Sequence, residues 1–342
     1  MQPASFAAHR KDIGLAGPLF AWFAGPALGK GSIAKASLVG LGGSDRRYFR
    51  VQKGAMTAVL MECRKDDPDY ERHLAYTKFF HESGVPVPRL LGADEPGRRA
   101  LFEDLGDLSL YSWLRFPHDD EVIEAQYRRV LDVLVGLHHA ASERVDQCPL
   151  LAERLFDYDH LRWETAYFLE RFVTGLKKAR IVDRKALDED LHQLAKTVSG
   201  FLPSVIHRDF QSQNIMVKGG ALHVIDFQGA RMAPPAYDVA SVLWDPYRRL
   251  DDAMRERLLA YYIEAMQKAA KDFDADGFRE TLLPCRLQRH MQALGAYGFL
   301  SVMKGKKYFL KHVPEAIRLL RGETAAAQND YPVLAKLVQS LS

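Results

Sequence analysis

The sequence predicts an α+β protein of two lobes, a small antiparallel-sheet lobe followed by a larger, mainly helical lobe. Between residues 36 and 106 the chain is rich in short β-branched and aromatic runs, which are typical of strands. From residue 109 onward, apolar residues recur at helical spacing. At 342 residues the chain is also long for one compact core. We therefore expect a sheet-rich lobe over residues 1–104 and a helical lobe over residues 105–342.

The small lobe is predicted to contain several strands and one inserted helix. The helix is expected over Tyr70–Gly84, because its apolar residues fall at near-helical spacing and Gly84 can end it. The proline-containing segment that follows is expected to be extended. The strand-like runs are Ala36–Gly43, Arg46–Gln52, Thr57–Cys63 and Arg99–Gly106.

The large lobe is predicted to be helical with one strand-like interruption. That interruption, residues 205–229, contains two apolar runs joined by a turn with two glycines, which predicts an antiparallel hairpin. The helical stretches are residues 109–116, 121–141, 156–176, 188–201, 254–270 and 286–303.

Composition and charge disfavour several classes of function. A net charge of +3 and 27% charged residues are ordinary for a globular protein and far from the basic footprint of a nucleic-acid binder. Cys63, Cys148 and Cys285 match no zinc spacing, so buried free thiols in a reducing cytoplasm are expected. The apolar segment Leu15–Leu28 is too short to span a bilayer, and its glycines and prolines favour an amphipathic helix over a signal peptide. We expect a cytoplasmic monomer without a membrane or nucleic-acid partner.

The predicted hairpin carries four polar residues that suit phosphoryl transfer. Asn214 comes just before the first apolar run and Asp226 near the end of the second, so an antiparallel hairpin would bring the two residues close together. An amide oxygen with a carboxylate suits magnesium when substrate phosphates supply further ligands. Asp209 stands ahead of this pair, free to orient a hydroxyl and accept its proton. His207 is expected to brace the loop through hydrogen bonds rather than act as a base. A plain hairpin with polar turns is the structural alternative.

A glycine turn between the first two predicted strands is a second candidate. Gly42 and Gly43 would let backbone N–H groups approach a phosphate, and Ser44 adds a hydroxyl. Taken alone, the turn is more typical of an ordinary hairpin. Its position before the Asp-bearing hairpin favours a phosphate-binding role.

The stretches "HRDFQSQN" and "IDFQG" resemble the catalytic and metal-binding loops of the protein-kinase-like superfamily. They are most similar to its aminoglycoside phosphotransferase and choline kinase branch, since Gln211 and Gln228 replace residues usual in protein kinases. The resemblance implies a protein-kinase-like two-lobed fold, ATP and Mg²⁺ as cofactors, and Asp209 as the catalytic residue.

The same resemblance assigns further positions. "LFEDLGD" is similar to the hinge that holds adenine, which implies contacts by Glu103 and Leu105, and Asp238 would have a structural role. The superfamily's phosphate-pairing lysine is replaced by Met61, so Arg46, Arg47 or Lys65 would supply the cation. A nucleotide-binding pseudokinase is the alternative that this replacement leaves open.

Within the branch, "GGSDRRYFRV", "DFQ" and "LQRHMQALGAYGFL" resemble the bacterial kinases of the anomeric hydroxyl of N-acetylmuramate and N-acetylglucosamine, which act in cell-wall recycling. The alternative acceptors are an aminoglycoside, choline or homoserine. An acidic cleft would favour a cationic acceptor, and a neutral or basic cleft with aromatic side chains would favour an amino sugar. Trp163, Glu164 and Tyr167 are candidate sugar contacts, with a helix face of core aromatics as the alternative.

Overall fold

The computed structural model describes residues 35–41 and 46–341. The predicted N-terminal helix and the candidate phosphate-binding residues Gly42, Gly43 and Ser44 lie outside these ranges.

The small lobe is built on an antiparallel sheet with one inserted helix. Its elements are β1 (Lys35–Leu41), β2 (Arg47–Lys53), β3 (Met56–Glu62), α1 (Asp69–Glu82), β4 (Leu90–Asp94) and β5 (Arg99–Glu103). The strand order is β1-β2-β3-β5-β4. The helix α1 is inserted between β3 and β4, as the sequence predicts, and β4 forms the edge of the sheet from the segment predicted to be extended.

The large lobe is mainly helical, as predicted. Its α-helices are α2 (Leu110–Trp113), α3 (Asp120–Val135), α4 (Pro149–Ala152), α5 (Tyr158–Tyr167), α6 (Arg184–Ser199), α7 (Ala236–Leu243), α8 (Asp252–Ala269), α9 (Ala275–Val302), α10 (Val313–Ala326) and α11 (Pro332–Ser340). Two of these helices continue as π-helix, α3 over Gly136–Ala141 and α5 over Phe168–Leu176.

Two short strand pairs interrupt the helices. The strands β7 (Ile215–Lys218) and β8 (Ala221–Val224) form the predicted hairpin, and its turn needs the positive φ angles of Gly219 and Gly220. The strand β6 (Ser204–Ile206) pairs with β9 (Arg231–Ala233), a pairing that the sequence analysis did not predict. Together the two pairs hold residues 207–214 and 225–230 side by side.

The hydrophobic core is not divided evenly between the lobes. A large cluster includes Phe79 and Phe80 of α1 together with the helices of the large lobe. A smaller cluster beneath the sheet contains Met61 and Phe102. The helix α1 is thus packed into the main core, although the chain order places it in the small lobe. Within the described ranges, no helix has the length and hydropathy needed to cross a membrane.

Candidate active site

A cleft of about 480 Å³ lies between the sheet and the large lobe. Its walls come from β2, β3 and β5, from the connection between the lobes, and from the β7–β8 hairpin. It brings together residues far apart in sequence, namely Tyr48, Val59, Phe102, Glu103, Leu105, Asn214 and Asp226. Of the residues that the sequence suggested, four therefore line one cavity.

The loop that carries Asp209 is fixed by the buried carboxylate of Asp238. The backbone N–H groups of His207 and Arg208 donate to its two oxygens at 2.6 and 2.9 Å. Arg208 has a φ of 78°, an unfavourable conformation for a residue with a side chain, and these two bonds hold it there. The Nε2 of His207 donates to the carbonyl of Ile225 at 3.0 Å, which ties the loop to the start of the Asp226 turn.

The Asp209 carboxylate lies beside a buried arginine from α9. Its Oδ1 is 3.5 Å from Nη2 of Arg289, which also donates to Gln211 at 2.9 Å and, through Nε, to Ser241 at 2.7 Å. Burial raises the pKa of Asp209, but the positive charges of Arg289 and Arg208 outweigh burial and hold that pKa below its usual value. Asp209 is therefore ionised at neutral pH and able to accept a proton.

Arg289 is a site residue that sequence reasoning missed. It lies in a helical stretch noted only for its likeness to sugar kinases, and its contact with Asp209 spans eighty residues. The available signal was Gln211, which stands where protein kinases usually have a lysine. Because glutamine is uncharged, the positive charge beside Asp209 had to come from another part of the chain.

Asn214 and Asp226, the two candidate magnesium ligands, lie on the wall of the cleft. The amide nitrogen of Asn214 donates to the carbonyl of Asp209 at 2.9 Å, which leaves its amide oxygen for a ligand. Asp226 is exposed, has a φ of 65°, and accepts from Gln228 at 2.9 Å through only one carboxylate oxygen. The backbone N–H of Ile225 donates to the carbonyl of Asn214 at 2.9 Å, so the two candidate ligands are held together. The donor set of one carboxylate and one amide fits magnesium with phosphate ligands.

The connection between the lobes presents backbone groups to the cleft. The carbonyl of Asp104 accepts from Lys218 at 2.9 Å, and the N–H of Gly106 donates to the Asp104 carboxylate at 3.0 Å. Among the described residues, none forms a hydrogen bond with the backbone of Leu105. The side chain of Glu103 pairs with Lys218 at 2.8 Å and with Arg89 at 3.1 Å.

Met61 is fully buried in the small cluster under the sheet and carries no charge into the cleft. Arg46, at the start of β2, is also buried, and its Nη1 lies 3.0 Å from Asp69 and 3.3 Å from His73 of α1. Burial opposes the charge of Arg46, but Tyr48, Asp69 and Asp226 raise its pKa. The guanidinium is thus within the electrostatic reach of Asp226. Arg47 pairs with Glu62 at 2.6 Å instead, and Lys65 is exposed.

The candidate sugar contacts on α5 differ in their surroundings. Trp163 is 51% exposed and stacks on Tyr167 with ring centroids 5.1 Å apart. Glu164 is fully buried, and its oxygens accept from Arg208 at 2.9 Å and from Tyr237 at 3.0 Å. The aromatic pair is therefore open to a ligand, whereas Glu164 acts on the site through Arg208.

A model of the phosphotransferase enzyme family matches residues 35–271. An N-acetylmuramate/N-acetylglucosamine kinase of Pseudomonas aeruginosa is 28% identical over 317 residues, which cover 87% of this chain and 85% of that protein. A kinase of the same name from Neisseria meningitidis is 26% identical over 304 residues, with 86% and 87% covered.

Solved structures show the same fold at low sequence identity. An aminoglycoside phosphotransferase with bound ADP superposes with a TM-score of 0.56 at 13% identity, covering 92% of this chain and 96% of the other. A choline kinase from Streptococcus pneumoniae gives a TM-score of 0.55 at 13% identity, covering 84% and 93%. The predicted protein-kinase-like fold of the aminoglycoside phosphotransferase and choline kinase type is confirmed.

Proposed function

This chain belongs to the phosphotransferase enzyme family, and on that premise we propose that it transfers the γ-phosphoryl group of ATP to the anomeric hydroxyl of N-acetylmuramate or N-acetylglucosamine. The observation that carries the proposal is the position of Asn214 and Asp226 on the wall of the cleft, with the backbone carbonyl of the ionised Asp209 accepting from the Asn214 amide at 2.9 Å. The names of the relatives support the choice of acceptor.

In this proposal Asp209 positions the acceptor hydroxyl and accepts its proton. Its backbone carbonyl receives the N–H of Gln211 and the amide of Asn214, both at 2.9 Å, so the loop conformation is fixed before substrate binds. A loose phosphoryl-transfer transition state depends on positioning and charge neutralisation more than on base strength. A carboxylate with a low pKa therefore suffices.

The nucleotide would occupy the cleft with its base at the connection between the lobes. The carbonyl of Glu103 and the N–H of Leu105, two residues that line the cleft, would offer an acceptor and a donor that match the amino group and a ring nitrogen of adenine. Phe102 and Met216 line the same cleft and would flank the base. We propose the same role for Gly42, Gly43 and Ser44 as the sequence suggested, namely covering the phosphates.

Asn214 and Asp226 would hold magnesium, which when bound neutralises charge on the phosphates. Arg46 would supply the cation that the buried Met61 cannot, since it lies within the electrostatic reach of Asp226. Its contact with Asp69 and His73 of α1 would also couple the phosphate site to the position of that helix.

The surroundings of Asp209 support an amino sugar over a cationic acceptor. Arg208, Arg231 and Arg289 all lower the pKa of Asp209, so the local field is positive. A positive field would repel an aminoglycoside or choline. The exposed stacked pair of Trp163 and Tyr167 offers an aromatic surface for a sugar ring. We propose that the reaction takes place in the cytoplasm, where ATP is available.

The substitution Asp209→Asn tests the proposal. Turnover of both amino sugars with Mg-ATP should fall by about 10²-fold or more, the usual contribution of a general base, while ATP binding is retained. Asp252→Asn is a matched control, because the Asp252 side chain is 97% exposed on α8. Unchanged turnover in Asp209→Asn, or turnover of only other hydroxyl acceptors by the wild type, would reject the assignment.

A further inference from the structure

The buried Arg231 and the half-buried Arg154 lie near the loop that carries Asp209. Arg231 is 2% exposed; its Nε donates to the carbonyl of Gly229 at 3.1 Å, and its Nη1 lies 2.6 Å from Nε2 of His160. Arg154 donates to the carbonyl of Gln228 at 2.5 Å. In the part of the chain that the structure describes, no carboxylate lies within 4.0 Å of either guanidinium.

The electrostatics of this cluster are unfavourable without a ligand. Burial, reinforced by Arg208 and Arg154, lowers the pKa of Arg231 to about 9. Burial and the same positive charges lower the pKa of His160 to about 3, so His160 is neutral and accepts a hydrogen bond from Arg231. A buried charge without a counter-charge costs stability. An anion bound at Arg231 would remove that cost and form a charge-assisted hydrogen bond.

The cluster adjoins the proposed catalytic base. A Cβ atom at Gly229 would lie 3.8 Å from Oδ2 of Asp209, so the residue whose carbonyl holds Arg231 is also packed against the base. His160 lies 5.6 Å from the half-exposed ring of Trp163, centroid to centroid. The basic cluster is therefore continuous with both the base and the aromatic surface.

The other arginines near the base are already occupied. Arg208 pairs with the buried Glu164 at 2.9 Å. Arg289 lies 3.5 Å from Asp209 and also donates to Gln211 and Ser241. Among the three arginines that lower the pKa of Asp209, Arg231 is thus the one with no carboxylate within 4.0 Å in the part of the chain that the structure describes.

We propose that Arg231, supported by His160 and Arg154, binds a carboxylate carried by the acceptor and makes the site prefer an acidic sugar over its neutral counterpart. This inference rests on the proposed function. N-acetylmuramate is N-acetylglucosamine with a carboxylate-bearing ether, and the two sugars differ at no other group. The planar guanidinium of Arg231 is suited to a carboxylate.

The test compares kcat/KM for N-acetylmuramate and N-acetylglucosamine in the wild type and in Arg231→Met. The ratio of acidic to neutral sugar should fall by about ten-fold to a hundred-fold, as expected for one hydrogen bond between charged groups. Arg318→Met is the control, since Arg318 pairs with Glu315 on the surface of α10, and it should leave the ratio unchanged. Equal losses for both sugars in Arg231→Met would overturn the inference.

Stability separates a binding role from a structural one. Because Arg231 is a buried cation with no described carboxylate within ion-pair distance, Arg231→Met should melt at or above the wild-type Tm. A clearly lower Tm would indicate that Arg231 stabilises the fold instead. If Arg231→Met fails to fold, Arg231→Lys keeps a charge in place and should lose part of the preference; a full preference in Arg231→Lys would then count against the inference.

The failure of the proposed function would be recognised separately. If the wild type phosphorylates neither sugar, the proposed function is rejected, and binding alone decides the inference. N-acetylmuramate should then raise the Tm of the wild type more than N-acetylglucosamine does, and this difference should disappear in Arg231→Met. No difference between the sugars in the wild type would reject the carboxylate subsite.

Discussion

At the scale of single residues, the charge beside Asp209 should set the pH range of the proposed reaction. Burial alone would raise the pKa of Asp209, and Arg289 is the first of the positive groups that reverse this effect. In Arg289→Gln the pKa of Asp209 should therefore rise. Since the base must be deprotonated, the acidic limb of kcat/KM should move to higher pH.

The measurement is a profile of kcat/KM against pH with saturating Mg-ATP. Arg289→Lys keeps the positive charge near Asp209 and should move the acidic limb less than Arg289→Gln. A limb that stays in place in both variants would show that Arg289 has no influence on the proton acceptor.

The bracing carboxylate of Asp238 gives a second prediction at this scale. Asp238→Ala would leave the backbone N–H groups of His207 and Arg208 buried without acceptors, which should lower the free energy of unfolding by about 2–5 kcal/mol. Asp238→Asn keeps one acceptor oxygen and should lose less. Urea denaturation measures both. In folded protein kcat should fall more than KM changes, because the loop that positions Asp209 is loosened.

At the scale of secondary-structure elements, α9 packs unusually closely on the π-helical continuation of α5. A Cβ atom at Gly298 would lie 2.2 Å from the backbone carbonyl oxygen of Arg171, and backbone cannot move aside cheaply. Gly298→Ala should therefore lower the free energy of unfolding by about 1–3 kcal/mol.

Gly322 provides a matched control within another helix. A Cβ atom there would meet nothing within 4 Å, so Gly322→Ala in α10 should raise stability by about 0.5–1 kcal/mol through helix propensity. Denaturant midpoints compare the two variants. Stabilisation by Gly298→Ala would contradict the close packing of α9 and α5.

The elements of this fold were predictable to the extent that they depend on local patterns. The β7–β8 hairpin follows from two apolar runs around Gly219 and Gly220, and it was predicted. The pairing of β6 with β9 was not, because each strand has three residues and the partners are far apart in sequence. The π-helical continuation of α5 was predicted only as helix, since i→i+5 bonding has no periodicity distinct enough to read.

The candidate site shows the same division. Asp209, Asn214 and Asp226 belong to one local motif and could be proposed from it. Arg231 and Arg289 could not, because their position beside Asp209 depends on how β9 and α9 pack against the loop. Charge neutralisation is a property of the assembled site, and a linear sequence shows the charges without their distances.

At the scale of the whole molecule, the proposed nucleotide site is linked to both parts of the core. Phe227, which follows the metal-ligand candidate Asp226, packs edge-on against Phe80 of α1 with ring centroids 5.7 Å apart. Arg46 joins the start of β2 to the start of α1 through Asp69. A ligand that contacts Asp226 and Arg46 therefore bridges the sheet, α1 and the large lobe.

Binding of Mg-ATP should accordingly stabilise the whole chain in a single transition. At a concentration of about one hundred times Kd, the gain in the free energy of unfolding should be about 2.7 kcal/mol and should raise Tm.

Asp226→Asn should lose the magnesium-dependent part of this gain. Asparagine tolerates the positive φ of position 226, so the Tm of the free variant should match that of the free wild type. Thermal melts with ATP, with and without Mg²⁺, measure these terms. An equal magnesium-dependent shift in Asp226→Asn would remove Asp226 from the metal site, and no shift in the wild type would favour a binding module that does not use the nucleotide.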